Sequence, residues 1–354
     1  MEEIPGPVEV LRALRSGSQP PPASSTLASL VGEPIGTGQM CDTVRLVLSW
    51  QPPDAGPASL VSKLPSSDEG SRSTAAAFGI YEREARFYAE LAPRTTVPAP
   101  RCLGVLEVDG MPAALLEDLS GRGRQADQIA GIDVDCVPLA IDALARLHAP
   151  FWDDAELAAQ PWLFRRCGVP LPHIQQHFGE RWQRVLARFG ALLELDACAV
   201  VERFAARLDA WSQSIDGPFT LVHHDFRADN LLVGRDANGA PRLWVLDWQT
   251  VGWGSPGWDL AYFLGGSLSV ETRRAIERDA LAAYAERLRA LGGPAVDADW
   301  LWARYRQLAF GGLLIAVNSA GAVKATERGD RMFATLINRH ATQVLDHGAL
   351  EWLP

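Results

Sequence analysis

The stretch that decides the fold is residues 223–247, which read HHDFRADNLLVGRDANGAPRLWVLD. Two short apolar runs, 231–233 and 243–246, flank a segment rich in glycine, asparagine, aspartate and proline. These turn-forming residues between apolar runs predict a β-hairpin. Polar side chains lie where the runs begin and end, so the hairpin is expected to bring carboxylate and carboxamide groups together.

Three side chains at these ends carry the chemistry. Asp225 and Asn230 are close enough in sequence for one tight loop to hold both, and the second strand returns the chain to Asp247. Mg²⁺ binds to few carboxylates together with phosphate oxygens and water, and phosphoryl transfer also needs a carboxylate that accepts the proton of the attacking hydroxyl. The pattern therefore predicts Asp225 as this base, and Asn230 and Asp247 as Mg²⁺ ligands. In the alternative interpretation, all three are ordinary turn and strand-end residues.

A second strand–turn–strand pattern lies in residues 31–50. The turn contains Gly36 and Gly38, which would let backbone N–H groups approach phosphates closely, and alternating apolar residues follow it. The segment is not a P-loop, because no Gly-Lys-Ser/Thr follows. A dinucleotide-binding fold is disfavoured, because a strand rather than a helix comes next.

Lysine is rare in this chain, which has only Lys63 and Lys324. Lys63 lies near the end of an apolar strand predicted over residues 58–64. A single ammonium group in an arginine-rich protein suits a contact with phosphate, although a solubilising lysine at a strand edge is the alternative.

The segment 73–91 is predicted to be one helix, because its apolar residues recur on one face. That face carries Phe78, Tyr81, Ala85, Tyr88 and Leu91. Glu84 lies in this helix and is the expected ion-pair partner of Lys63. Glu82 and Glu90 are alternatives.

Together these motifs resemble the aminoglycoside phosphotransferase and choline kinase superfamily, the small-molecule branch of the protein-kinase-like fold. Within it, the chain is most similar to the ecdysteroid-kinase-like group and its actinobacterial relatives. The matching motifs occur in the family's order over residues 31–263. They are Gly36-Thr37-Gly38, Val61-Ser62-Lys63, Glu84-Ala85-Arg86-Phe87-Tyr88, Leu115–Leu119, His223–Asn230, Leu246–Gln249 and Trp258–Phe263.

The resemblance implies a nucleotide site in the amino-terminal part, with ATP as the expected nucleotide and GTP left open. Gly36 and Gly38 would cover its phosphates, and Lys63, paired with Glu84, would contact the α- and β-phosphates. The segment from Glu117 to Leu119 would hydrogen-bond adenine through backbone groups.

The resemblance also implies the catalytic residues. Asp225 would be the base, Asn230 and Asp247 would hold Mg²⁺, and His223 and Asp259 would support the loop that carries Asp225.

Two positions depart from the family pattern. Many relatives have glycine where this chain has His224, so we expect that the backbone there need not have a positive φ. Trp248 replaces a phenylalanine of protein kinases and is expected to leave metal binding unaffected.

The composition is that of an ordinary globular protein. The 354 residues are 47% hydrophobic and 21% charged, which allows one large or two modest domains. A net charge of −10 disfavours nucleic acid and anionic membranes as partners. The cysteines form no C-x-x-C pair and the amino terminus lacks a secretory pattern, so we expect a cytoplasmic location. The oligomeric state stays open.

The expected fold class is α+β, a bilobal protein-kinase-like fold. A helix and a Pro/Ser-rich linker would occupy residues 1–30, and an antiparallel five-stranded sheet with one helix would occupy residues 31–119. A mostly helical lobe would follow over residues 120–354, with the nucleotide between the lobes.

The acceptor of the phosphoryl group is harder to predict. A site for polycationic aminoglycosides should be lined with acids, yet the acids after Asp259 are matched by Lys and Arg without an acidic cluster. Residues 310–317 are apolar and could line a cavity or form a core helix, of which we prefer the core helix. If these residues line a cavity, the acceptor would be a neutral, partly apolar alcohol. We rank hydroxylated apolar metabolites first as acceptors and aminoglycosides second. A nucleotide-binding protein without activity and a protein kinase are the other classes; the latter is disfavoured because the sequence lacks an Ala-Pro-Glu segment and a long activation loop.

Overall fold

The computed structural model describes residues 4–36, 40–236 and 238–354 and has two compact units. The amino-terminal unit consists of Met1–Gly123 and Leu246–Thr250, and the carboxy-terminal unit of Arg124–Val245 and Val251–Pro354. The sheet of the first unit and the largely helical second unit confirm the predicted fold class.

An antiparallel sheet with the strand order β1-β2-β3-β5-β4 is the framework of the amino-terminal unit. Its strands are β1 (Thr26–Pro34), β2 (Cys41–Gln51), β3 (Ser59–Pro65), β4 (Cys102–Val108) and β5 (Met111–Glu117). The alternating apolar residues of β2, from Val44 to Trp50, are buried as predicted, because one face of the pleated strand lies on the core. Helix α1 (Pro7–Arg15) packs on the same core through Val10 and Leu14.

The helix predicted after β3 is broken in two. The two helices are α2 (Glu69–Ala77) and α3 (Ile80–Arg86), and a wider turn over Phe87–Leu91 continues the second. Gly79 separates them with a φ of +63°, a left-handed conformation that glycine adopts without steric cost. The Arg83 guanidinium donates to the Phe78 carbonyl across the break at 2.9 Å. The expectation of a single helix in this unit is therefore wrong, and Phe78 is 54% exposed rather than part of the buried face.

The carboxy-terminal unit is mostly helical. Its helices are α4 (Val137–His148), α5 (Ala155–Ala158), α6 (Pro172–Phe189), α7 (Leu195–Ala205), α8 (Leu208–Gln213), α9 (Pro256–Ser267), α10 (Val270–Ala290), α11 (Ala298–Gln307), α12 (Phe310–Ala322) and α13 (Glu327–Asp346). Helices α9 and α12 are buried on nearly all sides, which suits their apolar sequences. Residues 310–317 therefore belong to a core helix, as we preferred.

Five further short strands follow along the chain, and the second and third of them flank the loop at residues 223–230, called the 223–230 loop below. The strands are β6 (Gly123–Gln125), β7 (Thr220–Val222), β8 (Leu231–Arg235), β9 (Pro241–Val245) and β10 (Gly252–Gly254). Strands β8 and β9 form the predicted hairpin, in which Leu231 pairs with Val245 and Arg235 pairs with Pro241. Strand β7 pairs antiparallel with β10 and ends immediately before the loop.

The cysteines are free thiols. Burial raises the pKa of Cys41 to about 12 and that of Cys167 to about 11, so both side chains serve as small apolar groups rather than as nucleophiles. Within the described ranges, no helix is both long enough and apolar enough to span a bilayer.

Candidate active site

A buried carboxylate near the start of α9 holds the backbone of the 223–230 loop. Asp259 accepts the His223 N–H at 2.7 Å and the His224 N–H at 2.9 Å, one on each oxygen. The His148 Nε2 lies 3.3 Å from the same carboxylate, and the Tyr284 hydroxyl lies 2.8 Å from His148 Nδ1. Burial raises the pKa of Asp259, but the hydrogen bond from His148 and the nearby imidazoles outweigh it and leave the pKa below its ordinary value. Asp259 therefore remains ionised, and both of its oxygens accept hydrogen bonds.

His224 has a φ of +65°, so the expectation that this position does not need a positive φ is wrong. The sharp turn lets two successive N–H groups reach the one carboxylate of Asp259. A left-handed conformation costs a residue other than glycine about 1–2 kcal/mol, which the two hydrogen bonds offset. Neighbouring glycines make room for the imidazole, because a Cβ on Gly252 would lie 2.7 Å from the ring and one on Gly254 would lie 3.1 Å from it.

The carboxylate of Asp225 is oriented by three donors. The Tyr262 hydroxyl donates to Oδ1 at 2.9 Å, and the Arg227 Nε donates to Oδ1 at 3.2 Å. Asn230 Nδ2 donates to Oδ2 at 2.9 Å and to the Asp225 carbonyl at 2.8 Å. The structure thus brings Asp225 and Asn230 together. Arg227 and Tyr262 were not found by the sequence reasoning.

The side-chain oxygen of Asn230 is suited to a cation. Both amide hydrogens of Asn230 point to Asp225, and its Oδ1 accepts no hydrogen bond from the residues that the structure describes. In the described part of the chain, no three His, Cys, Asp or Glu side chains are grouped to hold a metal ion. A Mg²⁺ site made of one Asp, one Asn, phosphate oxygens and water needs no such group. Asp247 belongs to the amino-terminal unit, and its convergence with Asn230 stays a prediction.

Arg227 links the carboxylate of Asp225 to that of a second aspartate. Its guanidinium donates to Asp229 at 3.0 Å, and Asp229 also accepts the Gln128 N–H at 2.9 Å and lies 3.3 Å from Arg328. Burial lowers the pKa of Arg227, but Asp225, Tyr262 and Asp229 together raise it above its ordinary value. A permanent cation therefore lies beside the candidate base.

In the amino-terminal unit, Lys63 bridges two carboxylates. Its Nζ lies 2.7 Å from Asp247 Oδ1 and 3.0 Å from Glu84 Oε1, and the Trp248 N–H donates to the same Glu84 oxygen at 3.2 Å. Burial lowers the pKa of Lys63, but Asp247 and Glu84 raise it well above its ordinary value. Lys63 is therefore held as an ammonium group.

The two glutamates named as alternative ion-pair partners of Lys63 pair with an arginine instead. Glu82 and Glu90 lie 3.6 and 2.8 Å from Arg86, whereas Glu84 faces Lys63. Phe87, one turn after Glu84, stacks on Trp248 with ring centroids 3.8 Å apart, which fixes the segment that carries Asp247.

The other residues predicted to contact the nucleotide are Gly36, Gly38 and the segment from Glu117 to Leu119. Gly36 has a φ of +80°, which suits glycine, whereas Gly38 lies outside the described residues. The Glu117 N–H donates to the Arg101 carbonyl at 2.9 Å, and the Leu119 carbonyl accepts the Arg122 N–H at 3.0 Å. Two of the backbone groups in the segment predicted to bind adenine are thus already used within the unit.

A profile described as the phosphotransferase enzyme family matches residues 55–308, which is more than half of the chain. The chain belongs to this family. An N-acetylmuramate/N-acetylglucosamine kinase from Caulobacter vibrioides is 27% identical to this phosphotransferase over 257 residues, which are 67% of the chain. The match covers 66% of that relative's own length, slightly less than two thirds.

Two solved kinase structures share the fold. Choline kinase from Cryptosporidium parvum Iowa II superposes with a TM-score of 0.55 at 8% identity, over 90% of this chain and 89% of that one. The GDP complex of wild-type aminoglycoside 2'-phosphotransferase-IIIa gives a TM-score of 0.53 at 16% identity, over 90% and 94% of the two chains. Membership in the ecdysteroid-kinase-like group stays a prediction.

The two lysines of the chain allow a matched test of the Lys63 bridge. Lys63→Met leaves Glu84 and Asp247 without their common cation, and we expect it to lower the free energy of unfolding by about 3 kcal/mol, the lower end of the range for removal of one partner of a buried ion pair. Lys324→Met, at an exposed position, should change it by no more than about 0.5 kcal/mol. Urea unfolding of both variants and the parent measures the difference.

The pH dependence has a definite sign. Because the pKa of Lys63 is higher in the folded than in the unfolded protein, its contribution is complete below the unfolded value of about 10.4 and is lost only as the pH rises through the folded value. Burial also raises the pKa of Glu84, and loss of the ammonium group removes an interaction that lowers it. The deficit of Lys63→Met should therefore be at least as large at pH 9 as at pH 7. A Lys63→Met protein as stable as Lys324→Met would contradict the bridge.

Proposed function

We propose that this phosphotransferase moves the γ-phosphate of ATP, bound with Mg²⁺, to a hydroxyl group of a small molecule, and that Asp225 is the base. The observation that carries the proposal is the fixed carboxylate of Asp225, with three donors on its oxygens and a backbone held by Asp259. Phosphoryl transfer asks a protein mainly for positioning and charge, and such a carboxylate supplies the positioning of the acceptor.

The proposed reaction is a direct transfer of the γ-phosphoryl group from ATP to the acceptor hydroxyl. The acceptor oxygen forms a bond to the γ-phosphorus, the bond between this phosphorus and the β,γ-bridging oxygen breaks, and ADP leaves. The acceptor's proton passes to a carboxylate oxygen of Asp225. Lys63 would offset the charge of the α- and β-phosphates. Asn230 and Asp247 would hold Mg²⁺, which when bound neutralises charge on the phosphate oxygens.

Electrostatics support a neutral acceptor over a polycation. One acid of α10 and one of α13 are neutralised within the unit: Glu277 pairs with Arg273 at 2.9 Å, and Asp346 pairs with Arg274 at 2.7 Å. Beside Asp225 lies the Arg227 guanidinium, and Arg166 donates to the His224 carbonyl at 3.4 Å. These guanidinium groups reduce the negative charge near Asp225, whereas a site for aminoglycosides should present unpaired acids.

The expected apolar character of the acceptor has lost its support, because α12 is a core helix rather than the wall of a cavity. The Caulobacter relative is named as a kinase of N-acetylmuramate and N-acetylglucosamine, two N-acetylated sugars that carry hydroxyl groups and no ammonium group. N-acetylmuramate carries a carboxylate, whereas N-acetylglucosamine is an uncharged sugar. We therefore propose a neutral hydroxyl compound as the acceptor, either such a sugar or an alcohol, with aminoglycosides second. Guanine nucleotide is the second choice of donor, since the aminoglycoside 2'-phosphotransferase-IIIa structure is a GDP complex.

Asp225→Asn should lower kcat by about 100- to 10,000-fold, the range that a general base contributes, while the affinity for MgATP stays close to that of the parent. Asp247→Ala should weaken MgATP binding as well as turnover, because Asp247 is a proposed Mg²⁺ ligand. Asp279→Asn, at an exposed position of α10, is the control and should behave as the parent. Calorimetric titration with MgATP and an ADP-release assay measure the two quantities. A near-parental kcat for Asp225→Asn at saturating ATP would show that another group is the base.

The acceptor class can be tested with a panel of N-acetylglucosamine, an apolar alcohol such as octanol, choline and kanamycin. With ATP and Mg²⁺, we expect phosphate transfer to a neutral member of the panel at a rate above that for choline or kanamycin, for the electrostatic reason given above. Transfer of ³²P from labelled ATP to each compound measures this directly. Transfer to kanamycin alone would reverse the proposed order.

A further inference from the structure

Helix α9 presents a second side chain to the 223–230 loop. Asp259 and Tyr262 are one helical turn apart, so they lie on the same face of α9. Asp259 holds the loop backbone, and the Tyr262 hydroxyl donates to the carboxylate of Asp225 at 2.9 Å. The same helix thus carries the donor of the Tyr262–Asp225 hydrogen bond and, through Asp259, holds the loop that carries the acceptor.

The two carboxylate oxygens of Asp225 accept different numbers of hydrogen bonds. Each carboxylate oxygen has two lone pairs that can accept. Oδ1 accepts two bonds, from Tyr262 and from Arg227, and is therefore saturated. Among the described residues, Oδ2 accepts one side-chain bond, from Asn230 Nδ2. One accepting direction on Oδ2 is left for a further donor.

Tyr262 can act only as a donor at this position. Burial raises the pKa of its hydroxyl well above the ordinary value, and the charge of Asp225 raises it further, so the proton stays on Tyr262 at neutral pH. The side chain is only 1% exposed, which excludes bulk water as a competing partner.

The ring of Tyr262 is fixed from behind. It stacks on His340 of α13, with ring centroids 5.5 Å apart and planes within 5°. His340 lies against glycines of α9 and α12: a Cβ on Gly266 would come within 2.8 Å of its ring, and one on Gly312 within 2.2 Å. Gln343 binds His340 at 3.1 Å. Three helices thereby determine where the Tyr262 hydroxyl points.

We propose that Tyr262 is a positioning residue which, together with Arg227, occupies Oδ1 of Asp225 and so directs the acceptor's proton to Oδ2. This inference rests on the proposed function. Without the Tyr262 bond, Oδ1 has an open lone pair and the carboxylate loses one restraint on its rotation. The acceptor hydroxyl then meets the base in a productive orientation less often.

The test uses Tyr262→Phe, which keeps the ring and its stacking and removes the hydroxyl. Tyr305→Phe is the matched control, because Tyr305 is also buried in this unit and its hydroxyl also donates to a carboxylate, that of Glu277, at 2.8 Å. The assay is phosphate release from MgATP with water as the acceptor, so the identity of the natural acceptor is not needed. Asp225→Asn is measured in parallel, together with the unfolding midpoint of each variant.

We expect kcat for phosphate release to fall about tenfold in Tyr262→Phe, the effect of losing one hydrogen bond to a charged group, with an unchanged KM for MgATP. Tyr305→Phe should lose similar stability and keep the parental kcat. A parental kcat in Tyr262→Phe while Asp225→Asn is inactive would overturn the role of Tyr262 alone. Equal losses of kcat in both tyrosine variants would also overturn it, since a general loss of stability would then explain the effect. Phosphate release by Asp225→Asn at the parental rate would instead refute the proposed function.

Discussion

The position of the candidate base depends on the buried carboxylate of Asp259. A carboxylate taken out of water costs several kcal/mol unless donors replace the water, and two backbone N–H groups and one imidazole do so here. Two successive amides can reach one carboxylate only if the chain turns sharply between them, which accounts for the positive φ of His224. This turn lets both amides donate to Asp259. Because Asp225 is the next residue in the chain, the same turn sets the position of its backbone.

In the amino-terminal unit, ion pairs rather than backbone hydrogen bonds hold the charged group, the ammonium of Lys63. In an arginine-rich chain, a single lysine supplies a compact ammonium group on a strand, and two carboxylates from other parts of the same unit hold it. In the proposed function, phosphate oxygens bring negative charge to this ammonium group, and Asp247 can then serve a metal ion.

The sequence predicted the strands and the hairpin well and most side-chain contacts poorly. The hairpin and the buried face of β2 were predicted because period-two patterns and turn residues are local signals. The break at Gly79 was missed because an apolar stripe over 73–91 outweighed one glycine in the pattern. Tyr262 and His148 were missed for another reason: each reaches its aspartate across a large separation, 37 residues to Asp225 and 111 residues to Asp259. No periodicity records such a contact, so only the fold reveals it.

The most direct test of this account is amide hydrogen exchange of the 223–230 loop in the parent and in Asp259→Asn, a substitution that keeps the shape and removes the charge. The account predicts that the His223 and His224 amides, which donate to Asp259, exchange much faster in the variant, because an uncharged amide replaces their acceptor. Amides of α6 should keep their parental rates. Unchanged exchange at both histidines, in a variant that remains folded, would contradict the claim that Asp259 holds the loop.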